Sequence, residues 1–289
     1  MTRTLSWFFS MLALAAMLLL LGIFAWQSIP VWQHDGTRYL TGVKWFFRSR
    51  EFGALPMIYG SLVVSFIALI VAAPLGFGAA ICTAEYLPRP ARLAVKVLIE
   101  LLAGVPSVVY GLLGILLLRD WIYDVFARFE PLNGDTLLTA GILLAVMVLP
   151  TLVTLGDDAL RGVPAAQRRA ARALGLTRAE TLISVTLPQA ARGFGSALLL
   201  GFGRTLGETI AVFLVVGRQD NNLPEHWLSV NKWLESGQTI TSKLGSSETN
   251  IAYGDPLHWA AIAGLGLILL AMTGAAAFLG TSFGKRSDA

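Results

Sequence analysis

Three groups of residues in this 289-residue chain have the types and spacing to do chemistry. The first is Gly201-Phe-Gly-Arg-Thr-Leu-Gly-Glu-Thr-Ile-Ala-Val212, where Arg204 and Glu208 stand four apart in an apolar run. On a continuous helix that spacing puts both side chains on one face. At the centre of an isolated membrane span each would cost about 2.5–3.5 kcal/mol, so such groups normally turn to a bundle interior or a wet cavity. A self-neutralising ion pair is the bland reading. An anion path is the sharper one, because a guanidinium makes bidentate bonds to an oxyanion and low-dielectric walls strengthen them. Glu208 would then keep Arg204 from holding the anion too tightly. Gly203 and Gly207 make a small-residue step that lets another helix approach closely.

The second group is Ala103-Gly-Val-Pro-Ser-Val-Val-Tyr-Gly-Leu-Leu-Gly114. Pro106 removes a helical hydrogen bond and exposes backbone groups to a cavity. Ser107 and Tyr110 are hydrogen-bonding candidates there. Ser107 has no His base within a span, which argues against an intramembrane hydrolase. Upstream, Lys96 and Glu100 are again four apart, and Lys96 is expected to snorkel at the cytoplasmic end.

The third group is the basic stretch Gly162–Pro188, read as two short helices. Pro164 suits a first helical turn and Gly175 a left-handed C-cap. Thr177 and Glu180 have capping-box spacing, and Pro188 should bend the chain back toward the membrane. A hairpin on the inner leaflet, a DNA-binding helix-turn-helix and a rigid element gripped by a cytosolic partner all fit locally. Tethering to spans at both ends, with no further basic surface, argues against nucleic acid.

Other chemistries lack their residues. His34, His226 and His258 are far apart and Cys82 is the lone cysteine, so neither a metal site nor an intrachain disulfide is expected. Gly280-Thr-Ser-Phe-Gly-Lys-Arg286 is one residue short of a P-loop and lacks Ser or Thr after Lys. The chain is therefore expected to bind no cofactor itself, and any ATP hydrolysis falls to a partner.

The elements that must position these groups are membrane helices. Hydrophobic residues make up 55% of the chain, against 14% charged, where a soluble domain carries about 25% charged. Mean hydropathy is +0.66. Apolar runs of spanning length cover Trp7–Ile29, Ile58–Thr83, Leu93–Leu118, Leu137–Leu155, Phe194–Gly217 and Trp259–Leu279. They lack the period-two alternation of a barrel, so the fold expected is all-α, with about six transmembrane helices. Trp7–Ile29 is too long for a signal-peptide core and no small-x-small cleavage site follows, so it is read as an uncleaved span. The densest basic cluster, Arg161 to Arg192, lies between the fourth and fifth runs, which puts that loop and both termini in the cytoplasm. The net charge of +4 is ordinary for a membrane protein. The outer segments Pro30–Met57 and Arg218–His258 read as solvated connectors with Trp227 and Trp233 as interface anchors, or as a periplasmic docking surface.

The cytoplasmic loop resembles the signature of binding-protein-dependent ABC import permeases: Glu-Ala-Ala, three residues, Gly, nine residues, Ile-x-Leu-Pro. Ala170, Ala171, Gly175, Val185, Leu187 and Pro188 match in spacing; Arg169 stands where Glu is usual and Val185 where Ile is usual. Gly104–Gly111 and Gly203–Val212 are similar to signatures of the phosphate-specific members, and Phe52–Leu62 to the PstC-type subunit. The resemblance covers residues 50–217 best. It implies the type I ABC importer permease fold, with a coupling helix that docks on an ATP-binding subunit. It also implies a homologous permease partner, two cytosolic ATP-binding subunits, a periplasmic phosphate-binding protein and the bacterial inner membrane. Residues 1–57 would be the first span and outer loop. Residues 58–279 would be the permease core, with coupling loop 157–193 and outer loop 218–258, and 280–289 a cytoplasmic tail. Arg204, Glu208 and Ser107 are the expected path residues, and Arg169, Ala170, Ala171, Gly175, Leu187 and Pro188 the expected coupling residues. A permease for another oxyanion, or an ion-coupled secondary transporter, would share parts of this pattern. The latter calls for inverted repeats, and no convincing repeat is present.

Overall fold

A computed structural model describes residues 2–223 and 230–285. His226, Trp227 and Arg286 lie outside them. Helix α1 (Thr2–Asp35) leads to a two-stranded antiparallel hairpin, β1 (Trp45–Phe46) and β2 (Glu51–Phe52). Then come α2 (Leu55–Ile81), α3 (Arg89–Gly104), α4 (Ser107–Val125), α5 (Leu137–Gly162) and α6 (Ala165–Ala173). The chain ends on α7 (Leu187–Leu206), α8 (Ile210–Val215) and α9 (Pro256–Lys285).

Four of these helices are continuous and apolar enough to cross a bilayer, or five if the bent pair α3–α4 counts as one span. The six uninterrupted spans expected from hydropathy are thus not all present among the described residues. Leu93–Leu118 is bent by 89° where α3 meets α4. Val105 and Pro106 are extended there, as the missing N–H and the clash of a proline ring dictate. Phe194–Gly217 is likewise divided, because α7 ends at Leu206 and α8 begins at Ile210.

The centre of the bundle is the pair α2–α5, brought close by glycines. A Cβ on Gly141 would lie 2.5 Å from Ile67, and one on Gly76 would lie 2.9 Å from the Leu152 Cβ. Close backbone approach replaces the hydrophobic effect as the packing force when lipid is the solvent. Around this seam Val64, Ile67, Leu144, Val148 and Leu152 are buried. Leu12, Leu19, Trp26, Leu98, Leu116 and Leu117 stay exposed, an apolar surface suited to lipid or a second membrane subunit.

The outer loops are not the solvated connectors that their polarity suggests. Tyr39, Trp45, Phe52, Met57, Ile240, Ala252 and Leu265 form a second buried core on that side. The Tyr39 hydroxyl donates to the Ala261 carbonyl at 2.7 Å, and Ser61 Oγ accepts from the Ile240 amide at 2.9 Å. Trp233 is half-buried against the main core.

Candidate functional site

Arg204 sits in the last turn of α7, where a cation complements the negative end of the helix dipole. Its Nη1 donates to the Thr151 hydroxyl of α5 at 2.8 Å. Arg204 and Thr151 line a cavity of about 270 Å³ with Glu100 and Ala103 of α3, and Pro150 and Thr154 of α5. Thr151 and Thr154 face it because Pro150 fixes that turn, and Thr154 Oγ1 returns to the Pro150 carbonyl at 2.9 Å. Another wall is α3, which carries no fully buried residue and meets α4 at the bend before Ser107.

Glu208 does not share a helical face with Arg204. The helix stops at Leu206, Gly207 is the C-cap, and Glu208 lies in the link to α8. Among the described residues no ion pair joins the two, so the self-neutralising reading fails geometrically. The spacing that suggested one face presupposes a continuous helix, which Gly207 interrupts. Gly203 faces Thr273 and Ala276 of α9 at ordinary contact distance, with room for a methyl, so it is not the close step that its spacing suggests.

The two apolar motifs do meet. A Cβ on Gly111 of α4 would lie 2.5 Å from Leu214 and 3.2 Å from the Ala211 Cα of α8. The two broken spans are therefore wedged against each other. Ser107 starts α4 immediately after the bend and is half-buried. Tyr110 closes the bend, its hydroxyl donating to the Leu102 carbonyl at 2.9 Å. Lys96 pairs across helices rather than with Glu100. Its Nζ is 3.2 Å from Asp157 Oδ2 of α5, which also accepts from Arg161 Nε at 2.8 Å.

In the loop Gly162–Pro188 the local chemistry is realised. Gly175 has φ +89°, the left-handed conformation of a helix C-cap. Thr177 and Glu180 form the capping box, and the backbone and hydroxyl bonds from Thr177 hold the Glu180 carboxyl below its usual range. A π-helical turn, Leu182–Thr186, runs directly into α7 and places Pro188 in its first turn. On α6, Arg169, Ala170 and Arg172 point outward and only Ala171 is buried. Leu187 is half-buried against the cluster around Leu160, while Pro188 lines a cleft of about 600 Å³ with Pro164 and Arg192.

Comparison with known proteins gives this arrangement a family. Residues 72–286 match the model for the binding-protein-dependent transport system inner membrane component. The chain belongs to this family. It is 34% identical over 265 residues to the phosphate transport system permease protein PstC of Mesorhizobium japonicum, covering 86% of this chain and 77% of that protein. Against the PstC of Pasteurella multocida it is 35% identical over 281 residues, 92% of this chain and 84% of that one. Among solved structures, an inward-facing MetNI methionine ABC transporter matches with a TM-score of 0.52 at 15% identity. That match covers 80% of this chain and 94% of that chain, and at such identity it speaks for the fold alone. The chain is thus a multi-pass membrane permease of the type I ABC importer fold. Its family works with ATP-binding subunits and a substrate-binding protein.

The permease also carries a polar cluster that local sequence does not reveal. Lys243, 1% exposed, forms salt bridges to Asp220 at 2.6 Å and to Glu248, and lies 5.2 Å from the Trp45 ring centroid. Trp45 Nε1 donates to Glu248 at 2.5 Å, and His258 Nε2 meets the same carboxylate at 2.9 Å. Phe47 and Phe52 each stack on the His258 ring at 5.5 Å. Burial would raise the Glu248 carboxyl, but the bonds from Lys243 and Trp45 and the Lys243 charge outweigh it and hold it low. Thr151, Asp157 and Lys243 were thus missed by sequence reading. Only Thr151, beside a proline in mid-span, carried a signal.

Proposed function

We propose that this chain is a transmembrane permease subunit of an importer of inorganic phosphate, driven by ATP hydrolysed on a separate subunit. In this reading it sits in a bacterial inner membrane with both termini cytoplasmic. It pairs with a homologous permease and two cytosolic ATP-binding subunits, and receives phosphate from a periplasmic phosphate-binding protein. The relatives named as phosphate permeases support the substrate. The observation that carries the reading is Arg204, an exposed guanidinium on the wall of an open cavity between α3, α5 and α7, held by a neutral threonine rather than by a carboxylate. A guanidinium so placed keeps its charge for a passing oxyanion.

Arg204 would be the path residue, with Glu208 and Ser107, each at a helix break, as the further path residues. Arg169, Ala170, Ala171, Gly175, Leu187 and Pro188 would form the coupling surface, with Arg169 reversing the usual charge at the ATPase contact. Alternating access follows from movement of the coupling helix.

The test is ATP-dependent uptake of labelled phosphate into vesicles carrying this chain with its partner permease, ATPase and binding protein, with sulfate and molybdate as competitors. Uptake should be competed by phosphate alone, and should fall at least tenfold in Arg204→Ala with the complex still assembled. Uptake competed by molybdate or sulfate would make it a permease for that oxyanion. Uptake driven by an ion gradient without ATP would overturn the importer reading.

A further inference from the structure

The coupling helix has to move something. Among the described residues, the charged side chain that ties α6 to the spans is Arg168, which is half-buried while Arg169 and Arg172 are exposed. Its Nη1 contacts Glu85 Oε1 at 2.5 Å, and its Nη2 donates to the Leu160 carbonyl in the last turn of α5. Glu85 is buried, and belongs to the π-helical turn Cys82–Tyr86 at the end of α2. That same turn is held from the other side by Arg92 of α3. Arg92 Nε donates to the Thr83 carbonyl at 2.7 Å and its Nη2 to the Ala84 carbonyl. The ends of α2, α3, α5 and α6 therefore converge on one turn through two arginines.

A π-helical turn is suited to this position. Such single π-turns inside helices are rare and are found frequently at functional sites. The carbonyls that Arg92 grips belong to Thr83 and Ala84, the two residues before Glu85, so displacement of Glu85 shifts them too. Arg92 stands in the first turn of α3, and Glu100 and Ala103 of α3 line the cavity that Arg204 shares.

We propose that Arg168 and Glu85 form a strut that passes movement of the coupling helix to α3, with the Cys82–Tyr86 turn and Arg92 as its continuation. Arg168 is a positioning residue: it touches neither phosphate nor ATP. The inference rests on the reading of α6 as the ATPase-docking element, and it adds the route by which docking reaches the cavity. Proximity alone does not establish coupling between sites; a thermodynamic or functional cycle does.

The experiment uses the complete reconstituted transporter with Arg168→Met, Glu85→Gln and the exchange Arg168→Glu with Glu85→Arg. Each single variant should retain its ATPase subunits and hydrolyse ATP within about twofold of wild type. Phosphate uptake should fall about tenfold, so that more ATP is spent per phosphate. The exchange should recover uptake at least threefold over either single variant. Cys82, exposed at the start of the π-turn and the only cysteine of the chain, supplies a second readout. In complexes whose other subunits lack cysteine, its maleimide labelling rate should differ between nucleotide-free and ATP-bound wild type, and that difference should vanish in Arg168→Met. Wild-type coupling in the single variants would overturn the strut, as would parallel loss of ATPase subunits and uptake, which would mark a purely structural contact. If the wild-type complex itself does not link ATP hydrolysis to uptake, the importer reading fails rather than the strut.

Discussion

Replacing Lys243 by Met should destabilise the outer cap more than any other single-charge removal on that face. Lys243 is 1% exposed and pairs with both Glu248 and Asp220. Breaking a buried pair by removing one partner costs about 3–5 kcal/mol. The low end applies here, because Trp45 and His258 still hydrogen-bond Glu248 and the Asp220 side chain, 32% exposed, can hydrate. About 3 kcal/mol corresponds to a fall in melting midpoint of roughly 6–12 °C for a chain of this size. The assay is thermal unfolding of the purified complex, followed by tryptophan fluorescence. Lys243→Met combined with Glu248→Gln should recover part of the loss, since it removes the stranded charge together with its partner.

A pH series gives the same reasoning a second check. The Glu248 carboxyl is held below its usual value near about 4.3, so its ionised form is bound more tightly in the folded state than in the unfolded one. The resulting stability is fully present above about pH 4.3 and is lost as pH falls through the lower folded value. Wild type should therefore show a loss of stability below about pH 4.3 that Glu248→Gln lacks. A Lys243→Met midpoint within about 2 °C of wild type, or an acid loss of equal size in Glu248→Gln, would refute the role assigned to the cluster.

Two glycines give sharper single-site expectations. On Gly60 of α2 a Cβ would fall on the Gln238 carbonyl oxygen, a backbone atom that cannot swing aside. Gly60→Ala should therefore cost at least about 1–3 kcal/mol and lower the yield of folded complex, measured by size-exclusion recovery. Gly175, at φ +89° with open space around it, is constrained by backbone alone. Gly175→Ala should cost about 1–2 kcal/mol locally, seen as roughly 5- to 30-fold faster amide exchange in Arg172–Thr181 with spans α2 and α5 unchanged.

What the sequence disclosed is what depends on near neighbours. The Thr177–Glu180 capping box and the Gly175 cap need only residues a few positions apart, and both are formed as their spacing dictates. The apolar spans were legible because burial in lipid demands long unbroken runs. The breaks were less so. Pro106 announced its own, but Gly207 has φ −84°, a helical value, so no conformational demand for glycine marked the end of α7. The sequence suggests a snorkelling Lys96, whereas it pairs across helices with Asp157 of α5. The outer cap was misread because its bonds join distant segments, as in Trp45 N–H to Asn221 Oδ1 at 2.6 Å. Nothing local to Lys243 distinguishes it from a solvated lysine.

The break at Gly207 also resolves how a membrane span carries Arg204. In mid-helix a guanidinium would face a cost of about 2.5–3.5 kcal/mol. Ending α7 two residues later places it where unsatisfied carbonyls and the helix dipole favour a cation, and where Thr151 is in reach. If the break serves the path, restoring the helix should harm transport without harming the fold. Gly207→Ala is suited to the test. A Cβ there meets only the Gly203 and Arg204 carbonyls at 3.7 Å, and alanine favours helix by about 1 kcal/mol over glycine. A continuous helix would bring Glu208 onto the Arg204 face, where the carboxylate competes with the anion. Gly203→Ala is the control: it gains the same propensity one turn earlier, with a Cβ 3.5 Å from Ala276, and does not touch the break. Phosphate uptake should fall several-fold in Gly207→Ala and stay near wild type in Gly203→Ala, with both complexes assembled. Equal uptake in the two would mean that the interruption of this span is a packing feature, and that Arg204 works, if at all, without it.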